Sequence, residues 1–279
     1  VSHSSPHRAL VNTPDGQIHI RTAGSGDAVV LMHWTPSSSR QYAGVIPRLA
    51  ELGYRAIALD HLGFGFSDPR PRPFTIADFA DTLAQLLDAL DIARSHVLGG
   101  HVSSEIAAEF ALRHPAKTRR LVLDGSPVWT RERREAVLSS ARPNPPPWSE
   151  AGDHIAWAWQ RTVWLQKMWD ANFCLDSDTA AEQMRLALID SLLSGTQSDT
   201  AEALKLYDMD HALRRLQHPV LALTATTDPL YSCHTDVMSL VKDVREHIFQ
   251  GTHPLHSPYG VDDYVRVIDR FLRDAPLGV

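Results

Sequence analysis

Apolar positions along the chain change period from segment to segment. Residues 8–31 predict a hairpin leading into a strand: residues 17–21 alternate polar and apolar, residues 24–27 turn, and residues 28–32 are apolar throughout. A helix is expected over 42–52, with Val45, Ile46, Leu49 and Leu52 on one face and Gly53 to stop it. Residues 55–60 form the next strand. The stretch 75–90 is amphipathic (Ile76, Phe79, Ala80, Leu83, Leu86, Leu87, Leu90), with Thr75 as its N-cap and Asp78 at N3. Further strands are expected at 96–98, 121–124, 220–224 and 246–249, and a last helix over about 261–273.

Strands that alternate with helices, several of them apolar on both faces, predict an α/β protein with a mostly parallel sheet covered on both sides. The alternation breaks between residues 127 and 216. That segment contains the proline-rich stretch at 142–147 and holds six of the seven tryptophans: Trp129, Trp148, Trp157, Trp159, Trp164 and Trp169. It reads as a helical insertion over the C-terminal edge of the sheet. The expected division is a core of residues 1–127 and 217–279 and an insertion of residues 128–216.

Composition narrows the function classes. A formal charge of −6 and a pI near 6.2 exclude a nucleic-acid footprint, which needs a basic face. No apolar run is long enough for a bilayer, and residues 1–10 lack the apolar stretch of a signal peptide. Cys174 and Cys233 are too few and too far apart for a disulfide framework or a zinc site, so a reducing cytoplasm is expected.

The most telling segment is Val97-Leu98-Gly99-Gly100-His101-Val102-Ser103-Ser104-Glu105. It reads as buried strand, sharp turn and helix, the shape of a nucleophile elbow with the pattern G-x-S-x-G. Counting back from the helix face Ile106, Ala107, Phe110 and Ala111 puts His101 at the apex, where the serine would stand. Gly99 matches the first glycine and Ser103 replaces the second.

Other segments extend the match. His33-Trp34-Thr35-Pro36 is similar to an HGxP oxyanion loop, and Asp60-His61-Leu62-Gly63-Phe64-Gly65-Phe66-Ser67 to a D-x-R-G-x-G-x-S loop. Thr227-Asp228-Pro229-Leu230 resembles the loop of a triad acid, and Gly251-Thr252-His253 that of a triad histidine. In this order the chain resembles the alpha/beta-hydrolase superfamily, in its lidded branch with haloalkane dehalogenases, epoxide hydrolases, proline iminopeptidases and carbon–carbon bond hydrolases.

The resemblance implies that Asp228 orients His253 as base, with Asp124 a second possible acid, and that the amides of Thr35 and Val102 form the oxyanion hole. His101 has three readings: an acid/base partner beside His253, a covalent nucleophile, or a relic or engineered exchange in a pocket that only binds. Ser103 and Ser104 lie in the first helical turn, where their hydroxyls should cap rather than attack, and Glu105 suits the helix dipole there. His33 and Trp34, with some of Trp157, Trp159, Trp164 and Trp169, are expected to wall an apolar pocket for a small carbonyl compound; His256, His234, Tyr207 and Tyr259 are further lining candidates. No cofactor or metal is expected, since His101 and His253 lack a carboxylate or cysteine at ligand spacing. The expected function is an enzyme acting on a small, mostly apolar carbonyl substrate without the usual serine. The alternatives are a small-ligand binding protein and a hydrolase whose serine is displaced or engineered away.

Overall fold

The computed structural model describes residues 6–140, 146–169, 173–175, 178–194, 203, 206–256 and 260–277. Among these, eight strands form one sheet: β1 (His7–Thr13), β2 (Gly16–Ala23), β3 (Ala28–Met32), β4 (Arg55–Leu59), β5 (Ser95–Gly100), β6 (Thr118–Asp124), β7 (Val220–Ala225) and β8 (Val244–Phe249). Their spatial order is β1-β2-β4-β3-β5-β6-β7-β8. β1 and β2 form an antiparallel hairpin on one side, and β4 through β8 run parallel with β3 among them. The expected hairpin is β1–β2 and the strand after it is β3; β4 lies between β2 and β3, hydrogen-bonded to both.

The helices are α1 (Val45–Glu51), α2 (Ile76–Ala89), α3 (Val102–Arg113), α4 (Arg131–Ser140), α5 (Asp153–Trp169), α6 (Asp178–Leu193), α7 (Met209–Arg215), α8 (His234–Leu240) and α9 (Val261–Leu272). Period-two side chains split the core into two layers. Ile18, Val30, Ile57 and Val97 point toward α2, α3, α7 and α8, while Val29, Leu31, Ala58 and Leu98 point toward α1 and α9. The expected start of α2 is formed as a capping box: Asp78 N–H donates to Thr75 Oγ1 at 3.2 Å and Thr75 N–H to Asp78 Oδ2 at 2.8 Å. Phe79, Leu83, Leu86 and Leu87 on its inner face are buried, each contributing about 1.5–3 kcal/mol of transfer free energy. Helix α1 is shorter than expected, because residues Ser39–Tyr42 form a separate 3-10 turn.

The helical insertion, α4 to α6, enters the chain between β6 and β7, with α5 packed on α6. The loops leaving the C-terminal ends of β3, β5, β6, β7 and β8 gather at one sheet edge, where open parallel sheets carry their sites. Among the described residues no helix is long and apolar enough to cross a membrane.

Candidate active site

His101 joins β5 to α3 as the N-cap residue, with φ 52° and ψ −121°. A non-glycine residue in that region is strained, and neighbouring bonds hold it: His101 N–H donates to Asp124 O at 2.8 Å, and Ser104 N–H to His101 O at 2.8 Å. Ser104 Oγ also donates to His101 O at 2.6 Å, and Ser103 Oγ donates to His33 O at 2.6 Å while accepting from His61 Nε2 at 3.0 Å. Both serines are buried and bonded to backbone, off the apex.

The pairing of histidines and acids corrects the expectation from the family pattern. The pair expected between Asp228 and His253 is not formed. His253 Nε2 lies 3.1 Å from both oxygens of Asp124, and its Nδ1 accepts from Leu255 N–H at 3.2 Å. Tyr264 donates its hydroxyl to Asp124 Oδ2 at 2.7 Å. Asp228 instead holds His101, Nε2 to Oδ2 at 3.2 Å, and its Oδ1 accepts from Leu230 N–H at 2.6 Å. The reason is reach. An imidazole at the apex extends where a serine hydroxyl would stop, and so takes the acid of the β7 loop. Gly125 makes room for it: a Cβ there would sit 2.8 Å from both Asp228 Oδ2 and His101 Cδ2.

The two pairs differ in burial. The side chains of His253 and Asp124 have no exposed surface, whereas His101 is 19% exposed over a fully buried Asp228. Burial pushes the Asp124 carboxyl up, but the His253 charge and the hydrogen bonds from His253 and Tyr264 outweigh it, so Asp124 titrates below the usual carboxylate range. Burial and the Asp124 charge push the Tyr264 hydroxyl up, which keeps it a donor.

Trp34 lies against both pairs. Its ring stacks on His101 (centroids 4.8 Å apart, planes at 23°) and meets His253 edge-on at 5.0 Å. Gly100 admits the indole: a Cβ on it would lie 1.7 Å from Trp34 Nε1. His256 is tilted against the same ring at 5.2 Å. Burial, reinforced by the charges of His253 and His101, lowers His256 to about 3, so it is neutral at physiological pH.

A cavity of about 410 Å³ opens onto His101 and is walled by Trp34, Thr35, Arg40, Gln41, Trp164, Leu186 and His256, among others. Thr35 lines it, and Val102 is the first residue of α3, whose amide belongs to the unpaired N-terminal set of a helix. Five of the expected lining residues lie elsewhere. His33 is fully buried behind Trp34, its Nδ1 on Trp34 O at 2.8 Å and its Nε2 accepting from His61 N–H at 3.2 Å. Trp157 sits under Arg161, and Trp159 is 39% exposed on another face of α5. His234 pairs with Glu246 at 3.3 Å and Tyr207 donates to Glu109 at 3.0 Å, both away from the cavity. The Trp169 side chain and Tyr259 lie outside the described residues.

Sequence reasoning missed the polar wall. Arg40 donates to Asp190 Oδ1 at 2.9 Å, as does Ser38 Oγ at 2.9 Å, tying α6 to the core beside the cavity. Gln41 accepts from Trp34 N–H at 3.0 Å through Oε1. The remaining donors Arg40 Nε and Gln41 Nε2 are buried with no hydrogen-bond partner among the described residues. Among those residues no group of three or more His, Cys, Asp or Glu is placed to hold a metal ion.

The sheet order, the strained elbow and the acids and histidine at successive strand ends define the class. The chain belongs to the alpha/beta hydrolase fold family, whose model matches residues 27–235. It is 37% identical over 114 residues to a 2-hydroxy-6-oxononadienedioate/2-hydroxy-6-oxononatrienedioate hydrolase of Paraburkholderia xenovorans, a match covering 39% of each chain. The chain spans about two fifths or less of the length of the curated relatives it matches. Among solved structures, a meta-cleavage product hydrolase from Pseudomonas fluorescens superposes with TM-score 0.74 at 20% identity, over 96% of this chain and 98% of that one. An esterase from Exiguobacterium antarcticum gives TM-score 0.77 at 16% identity, over 95% and 99%. These two likenesses are of fold.

Proposed function

We propose that the chain is a hydrolase of small, mostly apolar carbonyl compounds in which the His101–Asp228 pair, not a serine, supplies the chemistry. The observation that carries this reading is His101 itself, strained at the elbow apex, 3.2 Å from a buried carboxylate and opening on the cavity. With Nε2–H donated to Asp228, the basic lone pair falls on Nδ1. That nitrogen takes a proton from a water molecule as the water oxygen attacks the substrate carbonyl carbon. The resulting oxyanion accepts from the amides of Thr35 and Val102. On collapse the bond to the leaving group breaks, and His101 returns the proton to the departing oxygen or carbon, so no acyl-enzyme forms.

The substrate would lie under residues 128–216, which act as a lid on a core of residues 1–127 and 217–279. Trp34 and Trp164 would take its apolar body. Arg40 and Gln41 would take an oxygen acceptor at its far end, in keeping with the dienedioate named for the Paraburkholderia relative. His253, Asp124 and Tyr264 form a buried support behind Trp34 in this reading. The test is a panel of chromogenic esters, lactones and vinylogous 1,5-diketones, assayed with wild-type and His101→Ala protein alongside fluorophosphonate labelling. Turnover lost in His101→Ala, with no serine labelled, is the expected result. A labelled serine, or turnover unchanged in His101→Ala, refutes it.

A further inference from the structure

A second and larger cleft, about 880 Å³, lies at the root of the helical insertion and shares no lining residue with the cavity at His101. One wall is the segment by which the chain enters the insertion, from Val128 to Glu135. A second is the returning segment from Leu206 to Arg214, and a third is the core helix α8 through Asp236 and Leu240. Anything seated there touches both connections of the insertion and the core at once.

The wall of this cleft carries a buried cation. Arg134 is only 7% exposed; one of its terminal nitrogens donates to Trp129 O at 3.3 Å, and its Nε has no hydrogen-bond partner among the described residues. It has no ion pair among those residues. The carboxyl its charge acts on is Glu105, in the first turn of α3, whose Oε2 is also buried and unpartnered. Burial pushes Glu105 above the usual carboxylate range, which favours its uncharged form, and its carboxyl makes no ion pair with the guanidinium. A buried cation with neither counter-ion nor full hydrogen bonding is costly, and a ligand anion removes that cost.

The other lining groups narrow the ligand. Arg131 and Arg214 are occupied by Glu135 and Asp210, Arg133 donates to Ser232 Oγ at 3.2 Å and Asp208 accepts from His211 N–H, so each of these rim groups already has a partner. Asp236 stands exposed on the α8 wall and disfavours a multiply charged anion. Trp129, Val128, Leu240 and the 75%-exposed Leu206 provide apolar surface. From this arrangement we infer that the cleft binds a monocarboxylate with an apolar body, its carboxylate on Arg134 and its body against Trp129 and Leu206.

The experiment is a titration of the full chain with benzoate at pH 7 and low salt, following the arginine Nε–H resonances by NMR and the heat of binding by calorimetry. Benzamide and inorganic phosphate serve as comparison ligands. The expected result is a saturable shift of the Arg134 Nε–H, binding weakened at least tenfold for benzamide and for phosphate, and a tenfold or greater loss in Arg134→Met. His101→Ala should bind benzoate as wild type does, so this result is independent of the reading of the active site. An Arg134 Nε–H that does not move at saturating benzoate overturns the inference, and this readout needs no variant to fold. Phosphate binding as tightly as benzoate overturns the ligand class.

Discussion

The crossed pairing of acids and histidines separates two substitutions that a conventional triad would treat differently. Asp228→Asn keeps the shape of the side chain but removes the charge that holds the His101 imidazole. The equivalent loss in a serine protease lowers turnover about 10⁴-fold through the wrong tautomer, and a fall on the order of 10³–10⁴ in kcat is expected here. Stability should change little, because Leu230 N–H can still donate to the amide oxygen. Asp124→Asn acts on a pair with no solvent exposure, leaving His253 without its charge partner and Tyr264 with a weaker acceptor. Removing one member of a buried pair costs about 3–5 kcal/mol, which should appear as a lower urea midpoint with unchanged slope. Turnover per folded molecule should survive at a tenth of wild type or better. The assay is kcat on the best substrate of the panel, with urea unfolding followed by far-UV circular dichroism. The reverse pattern, Asp124→Asn folded but inactive and Asp228→Asn active, would falsify the assignment of His101–Asp228 as the working pair.

Three further outcomes follow from burial and packing. Gly100→Ala forces the Trp34 indole aside and should cost about 1–3 kcal/mol, whereas the same change in Trp34→Gly protein should cost much less, a coupling measurable as a double-mutant cycle in urea. His96, lowered to about 4 by burial and then by the Arg119 charge, protonates first in the unfolded chain; stability therefore falls as pH drops from about 6.5 to 4, by at most about 3 kcal/mol, and His96→Gln should flatten that limb of a pH-dependent unfolding series. Glu105 has the opposite sign: its folded pKa is raised, so its contribution is complete below the unfolded value near 4.5 and is lost as pH rises. Glu105→Gln should accordingly unfold at higher urea than wild type at pH 7.5 and show no such gain at pH 4.

Much of the fold was legible because its signals are local. The runs at 28–32, 96–98 and 121–124 are buried strands on length and apolarity alone, and Thr75 with Asp78 marks the start of α2. Helix α8 escaped notice because only His234, Val237 and Leu240 of its short span are buried, too few positions to establish a period. The elbow could be placed on His101 from the glycines before it and the apolar helix face after it. Which acid meets which histidine could not, because Asp124 ends β6 and Asp228 lies in the loop after β7, and the choice depends on how far an imidazole reaches across them. The tryptophans of α5 show the same limit. Trp159 lies five residues before Trp164, on another face, while Trp157 shares that face but sits two turns away, about 10 Å. Arg40 and Gln41 carry no motif, and their partner Asp190 is 150 positions distant.

The commitments around the elbow bear on how such a site changes over time. A serine at 101 would leave Asp228 without the imidazole it now meets, with His253 bonded to Asp124 and Leu255 and Trp34 packed against it. On the proposed reading, His101→Ser would give a hydroxyl at the apex with neither histidine held by Asp228. On that reading a serine mechanism would call for changes at 101, in the ring at 34 and in the orientation of His253 together. On the proposed reading, Trp34, packed against both His101 and His253, ties position 101 to its neighbours, so that a change of chemistry there is a change of three residues and not of one.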